Sequence, residues 1–130
     1  MPKKMGIDMP RTLQRSPAKA QRTYAETLRS AEAEYGPGER AGRTAYAALK
    51  HGFEKVGDRW QAKEHKGPSD PRAAKRVGEP DAERAQSFGG VDERGHTRDE
   101  LYRRAKELGV AGRSTMNKQD LAGAIAKKQR

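Results

Sequence analysis

Residues 97–128 read TRDELYRRAKELGVAGRSTMNKQDLAGAIAKK, and this stretch decides the fold of the last quarter of the chain. Thr97, followed three residues later by Glu100, predicts a capping box at the start of a helix. Apolar residues then recur at the spacing of one helix face, which we expect to point inward. This face consists of Leu101, Ala105 and Leu108.

A second helix is predicted after a short link. Gly109 suits the position just after a helix, because glycine readily adopts the left-handed backbone angles found there. Asn117, followed by Asp120, predicts the start of the second helix. Its expected inward residues are Leu121, Ala124 and Ile125. The pattern therefore predicts a helix-extended-helix hairpin.

The link and its flanks resemble the N-terminal module of Rho transcription termination factor, which is similar to SAP motifs. The resemblance is carried by Gly109, Val110, Gly112, Arg113, Ser114, Met116, Lys118 and Leu121. It implies a helix-extended-helix unit that associates with nucleic acid. The same pattern suits any helical hairpin, in which Val110 and Met116 only close the core, and both interpretations stay open.

Basic side chains of this module form the predicted nucleic-acid site. If the apolar face points inward, Arg103 and Lys106 point outward. Amides near Asn117, at the start of the second helix, offer a further phosphate contact. Since Tyr102 is the only aromatic residue here, we expect contacts to the backbone of DNA or RNA rather than base stacking. The predicted residues are Arg103, Lys106, Arg113, Ser114, Lys118, Lys127 and Lys128.

Composition limits the size of any single core. The chain has 130 residues, of which 32% are hydrophobic and 35% are charged, and this favours two small modules on a polar tether. The net charge of +10 attracts polyanions through its long-range potential. Residues 61–96 hold equal numbers of basic and acidic side chains, so the basic excess lies in the two predicted modules.

The N-terminal half predicts two more helices. Ser16 and Pro17 suit the N-cap and first position of the earlier one, and Gly-Pro-Gly at 36–38 ends it. Its expected inward residues are Ala20, Tyr24, Leu28, Ala31 and Tyr35.

The later of these two helices is predicted from Glu39 to Lys55, followed by a turn at Gly57 and Asp58. Trp60 is expected to cap the resulting core. The apolar stripe of this helix is Ala41, Ala45, Leu49, Phe53 and Val56.

Residues 1–63 resemble the ChaB family. The resemblance is carried by Ala20, Gln21, Tyr24, Ala31, Ala45, Ala47, Ala48, Lys50 and Trp60. It implies a small, mainly helical domain with a minor β-sheet, for which Lys3 to Ile7 and Arg59 to Lys63 are the candidate strands. The family is named as a cation transport regulator, which implies a protein partner such as an antiporter of cations and protons.

Residues 64–95 differ in character from both flanks, with three prolines, five glycines and few periodic apolar residues. We expect a flexible, disordered linker, with transient helix at most around 71–77 or 81–86. The predicted organisation is a ChaB-like domain at 1–63, a linker at 64–95 and a helical module at 96–130. Nothing in the linker suggests an interface, so the modules are predicted to be independent.

The sequence shows no pattern typical of a catalytic or metal site. It has no cysteine, and His51, His65 and His96 do not share a helix face, so we expect no metal. The serines lack a nucleophile motif, and the glycine pairs are better explained as chain breaks than as phosphate loops. We therefore expect no enzymatic activity, cofactor or small-molecule substrate.

The segment MPKKMGIDMP lacks the apolar region of a signal peptide, and no run of 18 apolar residues occurs in the sequence. We therefore expect a soluble, cytoplasmic chain without an integral membrane segment. A role on the membrane surface is disfavoured, because the helix predicted at 39–55 presents mostly alanine.

The favoured interpretation is a non-enzymatic regulatory protein that contacts nucleic acid through residues 96–130. The alternative is a protein-interaction adaptor that regulates a cation/proton antiporter without binding nucleic acid.

Overall fold

A computed structural model describes residues 3–4, 7–74 and 86–129. Within these ranges the fold is mainly α-helical with small antiparallel sheets, which confirms the predicted fold class. The structure contains β1 (Lys3–Lys4), β2 (Ile7–Asp8), α1 (Arg11–Gln14), α2 (Ala18–Tyr35), α3 (Glu39–Gly52), β3 (Phe53–Val56), β4 (Arg59–Ala62), α4 (Pro71–Ala74), α5 (Arg98–Glu107), a 3-10 turn (Arg113–Thr115) and α6 (Lys118–Lys128). No helix of this described part is long and apolar enough to cross a membrane.

The N-terminal core lies between α2 and α3, which pack along each other. Gly36 separates them with a positive φ of 82°, a conformation that glycine adopts without steric cost. Tyr24 of α2 meets Tyr46 of α3 edge to face, with ring centroids 5.1 Å apart. The buried residues of this core are Met9, Leu13, Ala20, Tyr24, Ala25, Ala45, Leu49, Phe53 and Trp60.

The predicted helix from Glu39 to Lys55 is too long, because α3 ends at Gly52 and Phe53 begins a strand. Phe53 was expected to be buried in the helix, and it is buried in the N-terminal core although it lies in a strand. β3 pairs with β4 through a turn at 57–58, and Lys55 lies opposite Trp60. The predicted strand at Arg59 to Lys63 is thus present as β4.

The predicted strand from Lys3 to Ile7 is instead a pair of two-residue strands, because β1 and β2 pair with each other in antiparallel register. They form a sheet separate from that of β3 and β4.

Ser16 does not cap α2, contrary to the sequence prediction, since the N-cap position is Pro17 and no side chain bonds there. The Ser16 hydroxyl donates to the Thr12 carbonyl at 2.7 Å and accepts the Trp60 backbone N–H at 2.8 Å. Ser16 therefore joins α1, which the sequence pattern did not predict, to β4.

The C-terminal core is formed by α5, α6 and the segment just before α5. The predicted capping box at Thr97 with Glu100 is present, and the predicted helix start at Asn117 with Asp120 is a capping box as well. Leu108 was predicted to point inward and is instead 37% exposed, because it occupies the C-cap of α5. The buried residues are Phe88, Val91, Leu101, Ala105, Val110, Leu121, Ala122 and Ile125.

The link between α5 and α6 runs back along α5. The Arg98 Nε, at the start of α5, donates to the Met116 carbonyl, just before α6, at 3.0 Å. Both helices therefore begin at the same end of the module. Gly109 and Gly112 each have a φ of 73°, which allows the chain to turn into and out of the link.

The predicted linker at 64–95 is partly buried where the structure describes it. Ser69 and Asp70 are fully buried, and Phe88 and Val91 belong to the C-terminal core. Of the predicted transient helix at 71–77, the structure shows α4 at Pro71–Ala74. Residues 75–85, which hold most of the other predicted transient helix, lie outside the described residues.

Candidate nucleic-acid interface and the contact between the modules

The two modules contact each other through Glu54 of β3, which is 4% exposed. The Arg104 Nη1 on α5 donates to the Glu54 Oε1 at 2.6 Å. The His96 Nε2 lies 2.9 Å from the same oxygen. A buried carboxylate is stable only with such partners, so these contacts tie the C-terminal module to the N-terminal hairpin. The prediction of independent modules is therefore wrong.

A second contact lies at the turn between β3 and β4. The Gly57 backbone N–H donates to the Gln129 Oε1 at 3.0 Å, and the Gln129 Nε2 donates to the Lys55 carbonyl at 3.4 Å. The Lys55 backbone N–H donates to the Gly90 carbonyl at 2.9 Å. The hairpin thus bonds both to the end of α6 and to the segment that precedes α5.

Lys63, whose side chain is 1% exposed, explains why the segment after β4 is ordered. Its Nζ donates to the Lys50 carbonyl at 3.0 Å and to the Ser69 Oγ at 3.1 Å, and it pairs with the Asp92 Oδ1 at 3.4 Å. The Lys50 Nζ in turn pairs with the buried Asp70 carboxylate at 3.1 Å. These polar contacts hold residues 64–74 and 86–95 against the N-terminal domain.

Glu54, Asp92 and His96 bring potential metal-ligating atoms within 4.8 Å of one another. Sequence reasoning missed this group, because the three residues share no spacing pattern. Arg104 and Lys63 already pair with the two carboxylates. A divalent cation would therefore meet two positive charges, and the cluster is better described as an ion-pair network at the module contact.

Glu100 links this contact to the start of α5. The Thr97 backbone N–H donates to the Glu100 Oε1 at 2.9 Å, and the His96 Nδ1 lies 3.3 Å from the Glu100 Oε2. These hydrogen bonds, that of the Thr97 backbone first, lower the pKa of Glu100 to about 2. Hydrogen bonding thus favours the ionised carboxylate at neutral pH.

Four of the predicted nucleic-acid-binding residues are exposed cations at two places. Arg103 and Lys106 lie on the outer face of α5, three positions apart and therefore adjacent on the helix surface. Lys127 and Lys128 lie in the last turn of α6. None of the four forms an ion pair within the described ranges.

Arg113 is half-buried and serves the fold of the link. Its Nη1 donates to the Val110 carbonyl at 3.0 Å, and its guanidinium lies 5.6 Å from the centroid of the Tyr102 ring. Arg98, which the sequence analysis did not select, lies 5.8 Å from the same centroid and donates to the Ser114 carbonyl at 3.3 Å. The i, i+4 spacing of Arg98 and Tyr102 was the available signal.

The start of α6 offers less to a phosphate than predicted. The Asn117 Oδ1 accepts the Asp120 backbone N–H at 2.8 Å, and the Asp120 carboxylate accepts the Asn117 backbone N–H at 3.5 Å. Since Asp120 also places a negative charge there, a phosphate contact at these amides is disfavoured. Lys118 is half-buried beside them.

The predicted site is therefore three groups rather than one patch. Lys118 and Lys128 stand at opposite ends of α6, about 15 Å apart along the helix axis. Ser114 is exposed in the 3-10 turn beside Arg113, and this link group lies at the Lys118 end. The face of α5 and the final turn of α6 supply the most accessible charges.

The fold and charge distribution thus define a small helical protein of two modules with a basic C-terminal surface. Residues 9–63 match the family model for ChaB, and residues 97–130 match the model for the Rho termination factor, N-terminal domain. Both resemblances seen in the sequence are confirmed, and the chain contains both domains. No curated protein and no solved structure matched the chain.

Proposed function

We propose that this chain is a non-enzymatic regulatory protein that binds nucleic acid through the basic surface of its C-terminal domain. The observation that carries the proposal is a set of exposed cations, without ion-pair partners among the described residues, on a domain that matches the Rho N-terminal model. This set consists of Arg103, Lys106, Lys127 and Lys128. Exposed cations of this kind neutralise phosphates and release counterions, which supplies most of the affinity of non-specific binding.

The surface favours contacts to the phosphate backbone over contacts to bases. Tyr102 is the only aromatic residue of the domain, and two guanidinium groups already lie within 6 Å of its ring. Bases therefore have no free aromatic platform on which to stack. We expect little preference for sequence, on either duplex or single-stranded ligands.

The ChaB domain has a different part in this proposal. It docks on the C-terminal domain through Glu54, and a protein partner would bind elsewhere on its surface. Regulation of cation transport would act through that partner, in the cytoplasm.

The test is the affinity of the full chain for labelled duplex and single-stranded oligonucleotides at low salt. The double variant Arg103→Gln/Lys106→Gln should lose about tenfold in affinity for every sequence tested, because two phosphate contacts disappear. The matched control is Lys19→Gln/Arg22→Gln, which removes the same charge from the exposed side of α2. An equal loss in both variants would contradict a C-terminal site, and absence of binding in the wild type would favour the adaptor alternative.

A further inference from the structure

A cavity of about 560 Å³ lies between α3, α4, the β3–β4 hairpin and residues 87–90. Its volume falls within the range of roughly 300–1,000 Å³ that is usual for small-molecule sites. The cavity belongs to the face where the ChaB domain meets the segment before α5. It contains none of the residues assigned to nucleic-acid binding.

Four cationic side chains line the cavity: Arg43, Lys50, Lys55 and Arg72. Lys50 is matched by Asp70 at 3.1 Å, and Arg43 lies 3.5 Å from the exposed Glu39 carboxylate. Lys55 and Arg72 have no carboxylate partner in the part of the chain that the structure describes. The lining therefore carries an excess of positive charge.

The aromatic lining is neutral and adds no opposing charge. Burial raises the pKa of Tyr46 to about 12, so its phenol is uncharged at neutral pH. Trp60 is 3% exposed, and its Nε1–H lacks a hydrogen-bond acceptor among the described residues. The Arg72 Nε–H, likewise buried, lacks one as well. Both side chains line the cavity, but these two nitrogens are themselves buried, so the charge of the lining rather than these donors bears on the choice of ligand.

We propose that this cavity binds a small phosphate-bearing molecule. Two unmatched cations complement a phosphate dianion, and a guanidinium can bind two phosphate oxygens at once. Arg72 and Lys55 are the groups that would hold the phosphate. The Lys50 Nζ already bonds to Asp70 and Ser87, so Lys50 serves the structure of the cavity lining. The site is separate from the basic surface of the C-terminal domain.

Trp60 provides the measurement, because it is the only tryptophan of the chain and lines the cavity. Its fluorescence should change saturably as inorganic phosphate, pyrophosphate or AMP is added to the full chain at constant ionic strength. Tighter binding of AMP would assign a nucleotide, and equal or tighter binding of pyrophosphate would assign the inorganic anion. If none of the three saturates the signal, the proposal is wrong.

Two variants and one control variant test the location. Arg72→Gln should weaken binding at least tenfold, whereas Arg22→Gln, on the exposed side of α2, should leave it unchanged. An equal effect of both would show general charge attraction and would overturn the site. Gly42→Leu tests the same site without a change of charge, because a Cβ at Gly42 meets no atom within 4 Å and the residue lines the cavity. Binding that persists in Gly42→Leu would contradict the proposal.

Discussion

Glu54 shows at the scale of one residue how the two domains are joined. Its buried carboxylate contacts Arg104 and His96, so Glu54→Ala leaves the Arg104 guanidinium without its carboxylate and removes the contact of the His96 Nε2. We expect a loss of unfolding free energy on the order of 3 kcal/mol in urea denaturation of the full chain. The control Glu107→Ala removes an exposed carboxylate from α5 and should cost less than about 0.5 kcal/mol. Equal losses would mean that Glu54 does not join the domains.

The contribution of Glu100 to stability should depend on pH. Its pKa is lowered from 4.5 to about 2 by the Thr97 backbone and by His96. The ionised form is therefore favoured by folding, so its contribution is full above pH 4.5 and is lost as the pH falls towards 2. The difference in stability between wild type and Glu100→Gln should shrink over this window. If the stabilities of wild type and Glu100→Gln differ by the same amount from neutral pH to pH 2, the capping role of Glu100 is contradicted.

At the scale of helices and strands, the local signals at the starts of α5 and α6 were accurate, because Thr97 and Asn117 each cap the backbone that follows. The same kind of signal failed at Ser16, whose hydroxyl bonds to the Thr12 carbonyl and the Trp60 backbone N–H instead. The change from α3 to β3 at Phe53 was not predictable in this way, because Phe53 and Val56 fit the apolar stripe of a longer helix. Residues 53–56 form a strand because they pair with β4, a contact that the helical spacing of the apolar residues does not indicate.

Leu101 and Leu108 offer a matched test of the inward face of α5. Leu101 is fully buried, whereas Leu108 is 37% exposed. Leu101→Ala should cost about 2–5 kcal/mol of unfolding free energy, as other buried leucine truncations do. Leu108→Ala should cost clearly less, as measured by urea denaturation followed by circular dichroism. If Leu108→Ala costs more than Leu101→Ala, Leu108 points into the core as helical spacing predicted, and its exposed placement is wrong.

At the scale of the whole molecule, the sequence predicted both domains but not their contact. The segments that join them are held by buried polar residues, above all Lys63, Ser69 and Asp70. Such residues leave no apolar periodicity, and their balanced charge is also typical of a solvated linker. The candidate site was predictable in part: Arg103 and Lys106 are exposed as expected. Arg113 is not, because the fold of the link decides its contacts.

The contact between the domains predicts coupled unfolding. Trp60 lies in the N-terminal core and Leu121 in the C-terminal core. Leu121→Ala should therefore lower the urea midpoint reported by Trp60 fluorescence, although the two residues belong to different cores. A Trp60 transition that is unchanged in this variant would mean that the domains unfold separately.

The salt dependence of nucleic-acid binding tests the central claim most directly. On duplex DNA, the logarithm of the association constant should fall linearly with the logarithm of salt concentration, by about 0.9 per phosphate neutralised. If Arg103, Lys106, Lys127 and Lys128 each meet one phosphate, the slope should be about −3 to −4 for the full chain. Arg103→Gln/Lys106→Gln should make it shallower by about two units. No binding at low salt, or a slope that this variant leaves unchanged, would contradict the claim.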